Sequence, residues 1–187
     1  FMKEMKILTE ELNLGLFSMG ATPMWSLKDM PLMPKDRYKK IMAPYMKKVG
    51  KYGLDMMFRT CTIQVNLDYS SEDDMAKKVK VGFLLQPLAT ALFASSPFFE
   101  NRDTGYESWR ANIWKHTDAA RTGIPKFIFD KGLCFSDWVE FALDVPMYFI
   151  KRDEKYINLA GESFRDFLSG NLKSMPGDQP FYSDWVN

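Results

Sequence analysis

An arginine–tryptophan pair and a row of uncharged polar residues carry the chemistry that this chain can offer. Arg110 and Trp114 are four apart in a helical stretch and share a face. An arginine beside an indole can fork a carboxylate against a partly apolar wall. It can equally stack on the ring and finish a surface. Along residues 59–68, Thr60, Thr62, Gln64, Asn66 and Asp68 alternate with Cys61, Ile63, Val65 and Leu67. Amides offer carbonyl oxygens to a cation and N–H donors to an anion. That face is therefore either ligand-facing or a solvated sheet face. Arg37, in the first turn of another helical stretch, reads by itself as a solvated charge, and Arg121 follows Asp118 in a turn ended by Gly123. His116 is the only histidine. Without a Cys or Ser partner nearby it makes neither a triad nor a metal cluster, and it reads as a surface or capping residue.

The elements that would position these residues follow from periodicity. Strict alternation over 59–68 predicts a half-buried strand, with Cys61 on the apolar side as a buried, inert thiol. Residues 2–12 predict an amphipathic helix ended by a left-handed residue at Asn13 or Gly15, followed by a short strand over 14–21. The proline-rich loop 22–34 is apolar enough to pack down onto the domain, as a satellite core or a pocket wall. Residues 35–49 predict a helix that Pro44 kinks or divides. Ser71 predicts the cap of a helix from 72 towards 95, amphipathic at first, then apolar all round and buried, with a kink at Pro87. Further helices are expected over 106–117, 137–143 (capped by Ser136), 163–168 and 182–186. Short strands are expected at 127–129 and at 146–150 paired with 156–159. The pattern is α+β.

Composition narrows the classes. With 187 residues and 46% hydrophobic content, the chain fits one domain with a core. Lys+Arg and Asp+Glu nearly cancel at 25 and 24, so no global field points to nucleic acid. Residues 81–99 carry no charge, but their polar residues and two prolines favour a helix in a soluble core over a membrane span. Two distant cysteines make no disulfide framework and no zinc spacing, so a cytoplasmic compartment is the default. There is no standard nucleotide loop and no hydrolase or metalloprotease motif. No pattern signals an oligomeric state.

Several blocks, taken together, are specific. Met33-Pro34-Lys35 precedes Arg37-Tyr38, and Gly53-Leu54-Asp55-Met56-Met57 leads to Arg59-Thr60-Cys61-Thr62 and Gln64-Val65-Asn66-Leu67-Asp68. Leu85-Gln86-Pro87, Ala89-Thr90-Ala91-Leu92-Phe93-Ala94, Ile113-Trp114, Thr117-Asp118, Arg121-Thr122-Gly123 and Ala142-Leu143-Asp144-Val145-Pro146-Met147-Tyr148-Phe149 follow in order. The chain resembles, over nearly its whole length, the plant and proteobacterial type of glutamate–cysteine ligase. The resemblance implies a glutamine-synthetase-like carboxylate–amine ligase fold, with a curved antiparallel sheet backed by helices. It implies ATP and magnesium as cofactors, with L-glutamate and L-cysteine as small-molecule substrates. In that family ATP phosphorylates the γ-carboxylate of glutamate, and the cysteine amine attacks the γ-glutamyl phosphate. The product is γ-glutamylcysteine, in the first step of glutathione synthesis.

Carried over residue by residue, the resemblance makes Arg37, Arg110 and Trp114 substrate-binding, with Arg121 a less secure addition. It turns Thr62, Gln64 and Asn66 towards nucleotide and metal, with Gln64 and Asn66 as metal-facing amides. No residue of the chain is assigned as catalytic. The family's acidic metal-binding strands precede the matched region and its Glu-x-Arg motif follows it. Both ends therefore read as cut, and residues 1–187 as the central part of one catalytic domain, inactive alone. A plastid location is compatible with a transit peptide upstream of Phe1. Two alternatives stand beside this reading: a related ligase with another acceptor amine, and a truncated, non-catalytic protein that binds ligand or partner.

Overall fold

The computed structural model describes residues 2–185. It holds helices and two short antiparallel ladders, and the elements follow from local signals. Helix α1 (Met2–Glu11) ends where Asn13 takes a left-handed φ of 53°. Residues 36–49 are continuously helical, but in two geometries: a π-helical turn over Tyr38–Met42, then α2 (Ala43–Val49). Pro44 explains the change. It has no N–H to give to the preceding turn, and its ring crowds the carbonyl four residues back. The ladder slips by one, so that the Ala43 N–H donates to Tyr38 O.

Helix α3 (Gly53–Arg59) was not expected; the sequence pattern reads this stretch only as a lead-in to the strand. Helix α4 (Glu72–Leu92) starts where Ser71 Oγ accepts the Asp74 N–H at 3.1 Å, and it runs through Pro87. Strands β1 (Phe98–Phe99) and β2 (Arg102–Asp103) form one hairpin. Helix α5 (Trp109–Lys115) is capped by Ser108, and His116 closes it as an exposed C-cap, as its type suggested. The expected strand at 127–129 is a 3-10 turn, Lys126–Phe129. Helix α6 (Phe135–Asp144) is capped by Cys134, two residues ahead of the expected Ser136.

The expected hairpin forms, but its strands are β3 (Phe149–Arg152) and β4 (Lys155–Asn158) instead of 146–150 and 156–159, and only Asp153 and Glu154, both at positive φ, join them. That is the backbone a tight two-residue hairpin needs. Helix α7 (Phe164–Leu168) lies where a helix over 163–168 was expected, with Ser163 as its cap rather than its first residue. Helix α8 (Tyr182–Trp185) covers the last expected helix except Val186, which lies outside the described residues.

An apolar core lies under the β3–β4 hairpin. Met147, Ile150, Leu159, Phe164, Phe167 and Leu172 are buried together there. In a second packed region α2 lies on α3, and α3 on α5, burying Met46 and Ile113.

Expectations about what is covered are corrected in three regions. Residues 61–69 join no sheet; only Thr60 bridges Ala21, which is also all that forms of the strand expected at 14–21. Ile63 is 93% exposed and Cys61 is exposed, so the alternation is present but its apolar side is uncovered among the described residues. The second half of α4 is likewise exposed, at Leu84, Leu85, Leu88 and Leu92. The loop 22–34 packs down only in part: Thr22 is buried and Leu27 and Met30 are half-buried, whereas Met24, Trp25 and Met33 are exposed. The cause is common to all three. Periodicity states which face is apolar, whereas burial needs a neighbour to supply the opposing surface.

Candidate active site

Arg110 sits on the first turn of α5, and three segments meet behind it. Ser96, 3% exposed, follows α4 and precedes β1; its N–H donates to Glu107 O and its carbonyl accepts the Trp109 N–H. The Ser96 hydroxyl accepts the Arg110 N–H at 3.1 Å, while Ser108 Oγ accepts the Ala111 N–H. Two hydroxyls thus satisfy N–H groups that the helix start leaves open. Gly20 closes the back. A Cβ there would lie 3.3 Å from both Arg110 Cδ and Ser96 Oγ. Its carbonyl accepts the Cys61 N–H at 3.0 Å.

The Arg110 side chain then crosses to the extended segment, where Nε donates to Cys61 O at 2.8 Å. Its guanidinium carbon lies 5.4 Å from the Trp114 ring centroid, so the predicted pair does form. The two terminal nitrogens have no partner among the described residues. A planar fork held at Nε and open at both Nη atoms is the shape that receives a carboxylate bidentately. Desolvation by burial lowers the Arg110 pKa, with Cys61 opposing weakly. The guanidinium nonetheless stays charged in a protein. A charge that has shed part of its water and has no carboxylate partner among the described residues binds an anion with less competition from solvent.

Thr62, Gln64 and Asn66 begin one residue beyond that contact, and all are exposed. Gln64 Nε2 donates to Asn66 Oδ1 at 2.8 Å, as residues on one side of an extended chain can. Thr62 Oγ1 donates to Ile63 O. Asn66 is at most about 18 Å of chain from Cys61. Gln64 and Asn66 are neutral oxygen donors of the kind magnesium accepts, but that ion is held chiefly through carboxylates and phosphates. Among the described residues no group of three or more His, Cys, Asp or Glu forms a metal site. The amide pair therefore does not make a magnesium site by itself.

The other predicted residues lie apart from this fork. Arg37 is half-buried, stacks on Tyr38 at 5.1 Å, and leaves its buried Nε unpartnered; no contact among the described residues links it to Arg110. Arg121 is committed internally. It donates to Asp118 Oδ2, Tyr45 Oη and Pro146 O, and lies 3.9 Å from the Tyr148 ring centroid. These contacts tie the turn after α5 to α2 and to the strand entry at Pro146. An open groove of about 660 Å³ between α4 and α5 is lined by Pro87, Ala91, Tyr106, Asn112, Lys115 and His116, and does not include Arg110 or Trp114.

Sequence reasoning missed Gly20 and Ser96 as parts of this arrangement, and neither carried a signal in the sequence pattern.

An arginine fork beside an indole, next to an extended row of amides, has the donor geometry that a carboxylate can accept. The model of glutamate-cysteine ligase family 2 matches residues 2–187, and the chain belongs to that family. It is 55% identical over 184 residues to a chloroplastic glutamate–cysteine ligase of Nicotiana tabacum, an alignment covering 98% of this chain and 35% of the relative. The corresponding enzyme of Medicago truncatula is 53% identical, with 98% and 36% covered. Glutamate–cysteine ligase B of Oryza sativa subsp. japonica, also named chloroplastic, is 53% identical, with 98% and 37% covered. The chain thus spans about a third of the length of these curated relatives. Their names give no support to the cytoplasmic default. No helix among the described residues is long and apolar enough to cross a membrane.

Proposed function

We propose that the chain forms the central part of a ligase joining the γ-carboxylate of L-glutamate to the amine of L-cysteine at the expense of ATP. The observation that carries this is the open fork of Arg110, held by Cys61 O and flanked by Trp114, in a member of the glutamate–cysteine ligase family. In this reading Arg110 pairs with a carboxylate of glutamate, and the Trp114 ring bounds its aliphatic chain. ATP transfers its γ-phosphoryl group to the γ-carboxylate oxygen. The cysteine amine then attacks the acyl carbon, phosphate leaves with the electrons of the broken C–O bond, and the nitrogen loses a proton. A fixed glutamate turns these encounters into reactions within one assembly, which is the main source of rate that positioning can supply.

Thr62, Gln64 and Asn66 face the nucleotide in this proposal. Bound magnesium would neutralise charge on the transferring phosphoryl group. Gln64 and Asn66 could add neutral oxygens around it, the carboxylates coming from elsewhere in the enzyme. Arg37 is proposed to touch substrate, its unpartnered Nε being the supporting feature. Arg121 supports the wall from behind through Tyr45 and Tyr148. The curved antiparallel sheet of a glutamine-synthetase-like ligase is proposed to form on residues 61–69 with strands from outside the chain, and residues 1–187 are proposed to be inactive alone. The chloroplastic relatives favour a plastid location.

The test is ADP release by the full-length ligase with glutamate and ATP, with and without cysteine. Losing two charge-assisted hydrogen bonds should raise the KM for glutamate of Arg110→Ala by about 150-fold or more, with a smaller rise for Arg110→Lys. An unchanged glutamate KM in Arg110→Ala would overturn the fork. Turnover only with a different amine would overturn cysteine as acceptor.

A further inference from the structure

We infer that Arg59 is a positioning residue for the Arg110 fork, acting through the backbone at Cys61 and the hairpin at Phe99 and Glu100. This rests on the reading of Arg110 as the glutamate clamp. Arg59 ends α3 and is 1% exposed. Its Nη1 donates to Asp55 Oδ1 and Glu100 Oε1, both at 3.0 Å, and its Nε to Thr22 Oγ1 at 3.4 Å. Its guanidinium carbon lies 3.7 Å from the Phe99 ring centroid. One side chain therefore ties α3, the loop at Thr22 and the tip of the β1–β2 hairpin.

Each tie leads to an atom that aims Arg110. Arg59 O accepts the Thr22 N–H at 2.8 Å, Thr60 bridges Ala21, and the Cys61 N–H is held by Gly20 O. Cys61 O, the acceptor of Arg110 Nε, is thus two residues from a buried ion pair. On the other side, Ser96 precedes the hairpin that Arg59 holds, and its hydroxyl accepts the Arg110 N–H. No contact among the described residues joins Arg59 to Arg110 directly. A buried ion pair is weak as a source of net stability but strong as a geometric constraint. Here it stands where the chain leaves α3 for a segment that joins no sheet among the described residues and pairs only at the Ala21–Thr60 bridge.

The test uses the full-length ligase and steady-state kinetics in all three substrates. Arg59→Met alone would strand the Asp55 charge, so the informative variant is Arg59→Met with Asp55→Leu, which leaves no orphaned charge; the half-exposed Glu100 can turn to water. A misplaced fork should raise the glutamate KM by about tenfold in the double variant and about threefold in Arg59→Lys. The KM values for ATP and cysteine, and kcat, should stay within about twofold. Adding Arg110→Ala to the double variant should cost less than it costs the wild type, because the two act on one interaction. An unchanged glutamate KM, a uniform loss in all constants, or fully independent effects would each overturn the inference. If the double variant is insoluble, Arg59→Lys and Glu100→Gln decide it, and unchanged glutamate KM in both refutes it. Failure of Arg110→Ala in the wild-type background would instead strike the clamp itself.

Discussion

Tyr148 shows how one arginine can be absorbed into structure. Its ring takes the Arg121 guanidinium at 3.9 Å and meets Tyr45 edge-on at 4.9 Å. Burial pushes its hydroxyl up to about 12, with the nearby Arg121 charge opposing only in part. The sign follows from linkage. An unfolded tyrosine loses its proton near 10, whereas the folded one keeps it, so folding is weakened as pH rises from about 10 to about 12. Tyr148→Phe should lack this alkaline loss, and the gap in urea midpoint between variant and wild type should widen in the variant's favour between about pH 9 and about 11. A constant gap across that range would show that the hydroxyl does not carry the effect.

At the scale of elements, the turn between α2 and α3 is pressed against the end of α5. A Cβ on Gly50 would lie 1.5 Å from Thr117 O, and the Tyr52 N–H donates to His116 O. Gly50 has φ −161°, so the requirement is space and not backbone freedom. Since the obstacle is backbone, a methyl group must separate the two elements. Gly50→Ala should destabilise the chain by about 1–3 kcal/mol or more. The check is a chemical-denaturation midpoint, and a change below about 0.5 kcal/mol would mean that the contact yields.

For the whole molecule, the exposed apolar surface is the dominant physical fact. Ile7 and Leu8 on α1, Ile63, Val65 and Leu67 on the extended segment, and Leu84, Leu88 and Leu92 on α4 are uncovered among the described residues. Covering one such side chain completely is worth about 1.5–3 kcal/mol. The 187-residue chain by itself should therefore bind a hydrophobic dye and self-associate. Ile63→Lys with Leu67→Lys should lower both signals in dye fluorescence and light scattering. A monomeric, dye-silent wild-type chain would refute this.

What the sequence determined by itself was local or collective. Ser71, Ser108 and Ser163 cap helices because a hydroxyl and an N–H three residues on meet within one turn. The Arg110–Trp114 pair follows from four-residue spacing on α5, and the β3–β4 hairpin from two short strands joined by a tight turn. Family membership followed from many ordered blocks at once. Tertiary structure alone decided what each apolar face meets. Residues 61–69 alternate as a strand does, yet strand pairing is non-local, and no neighbour among the described residues supplies the ladder. Cys61 is exposed for the same reason, and its carbonyl, which no side-chain pattern reports, became the acceptor that holds Arg110. Arg59, Thr22 and Glu100 are far apart in sequence. Their meeting depends on where α3 and the β1–β2 hairpin come to rest, which is a property of packing and not of periodicity.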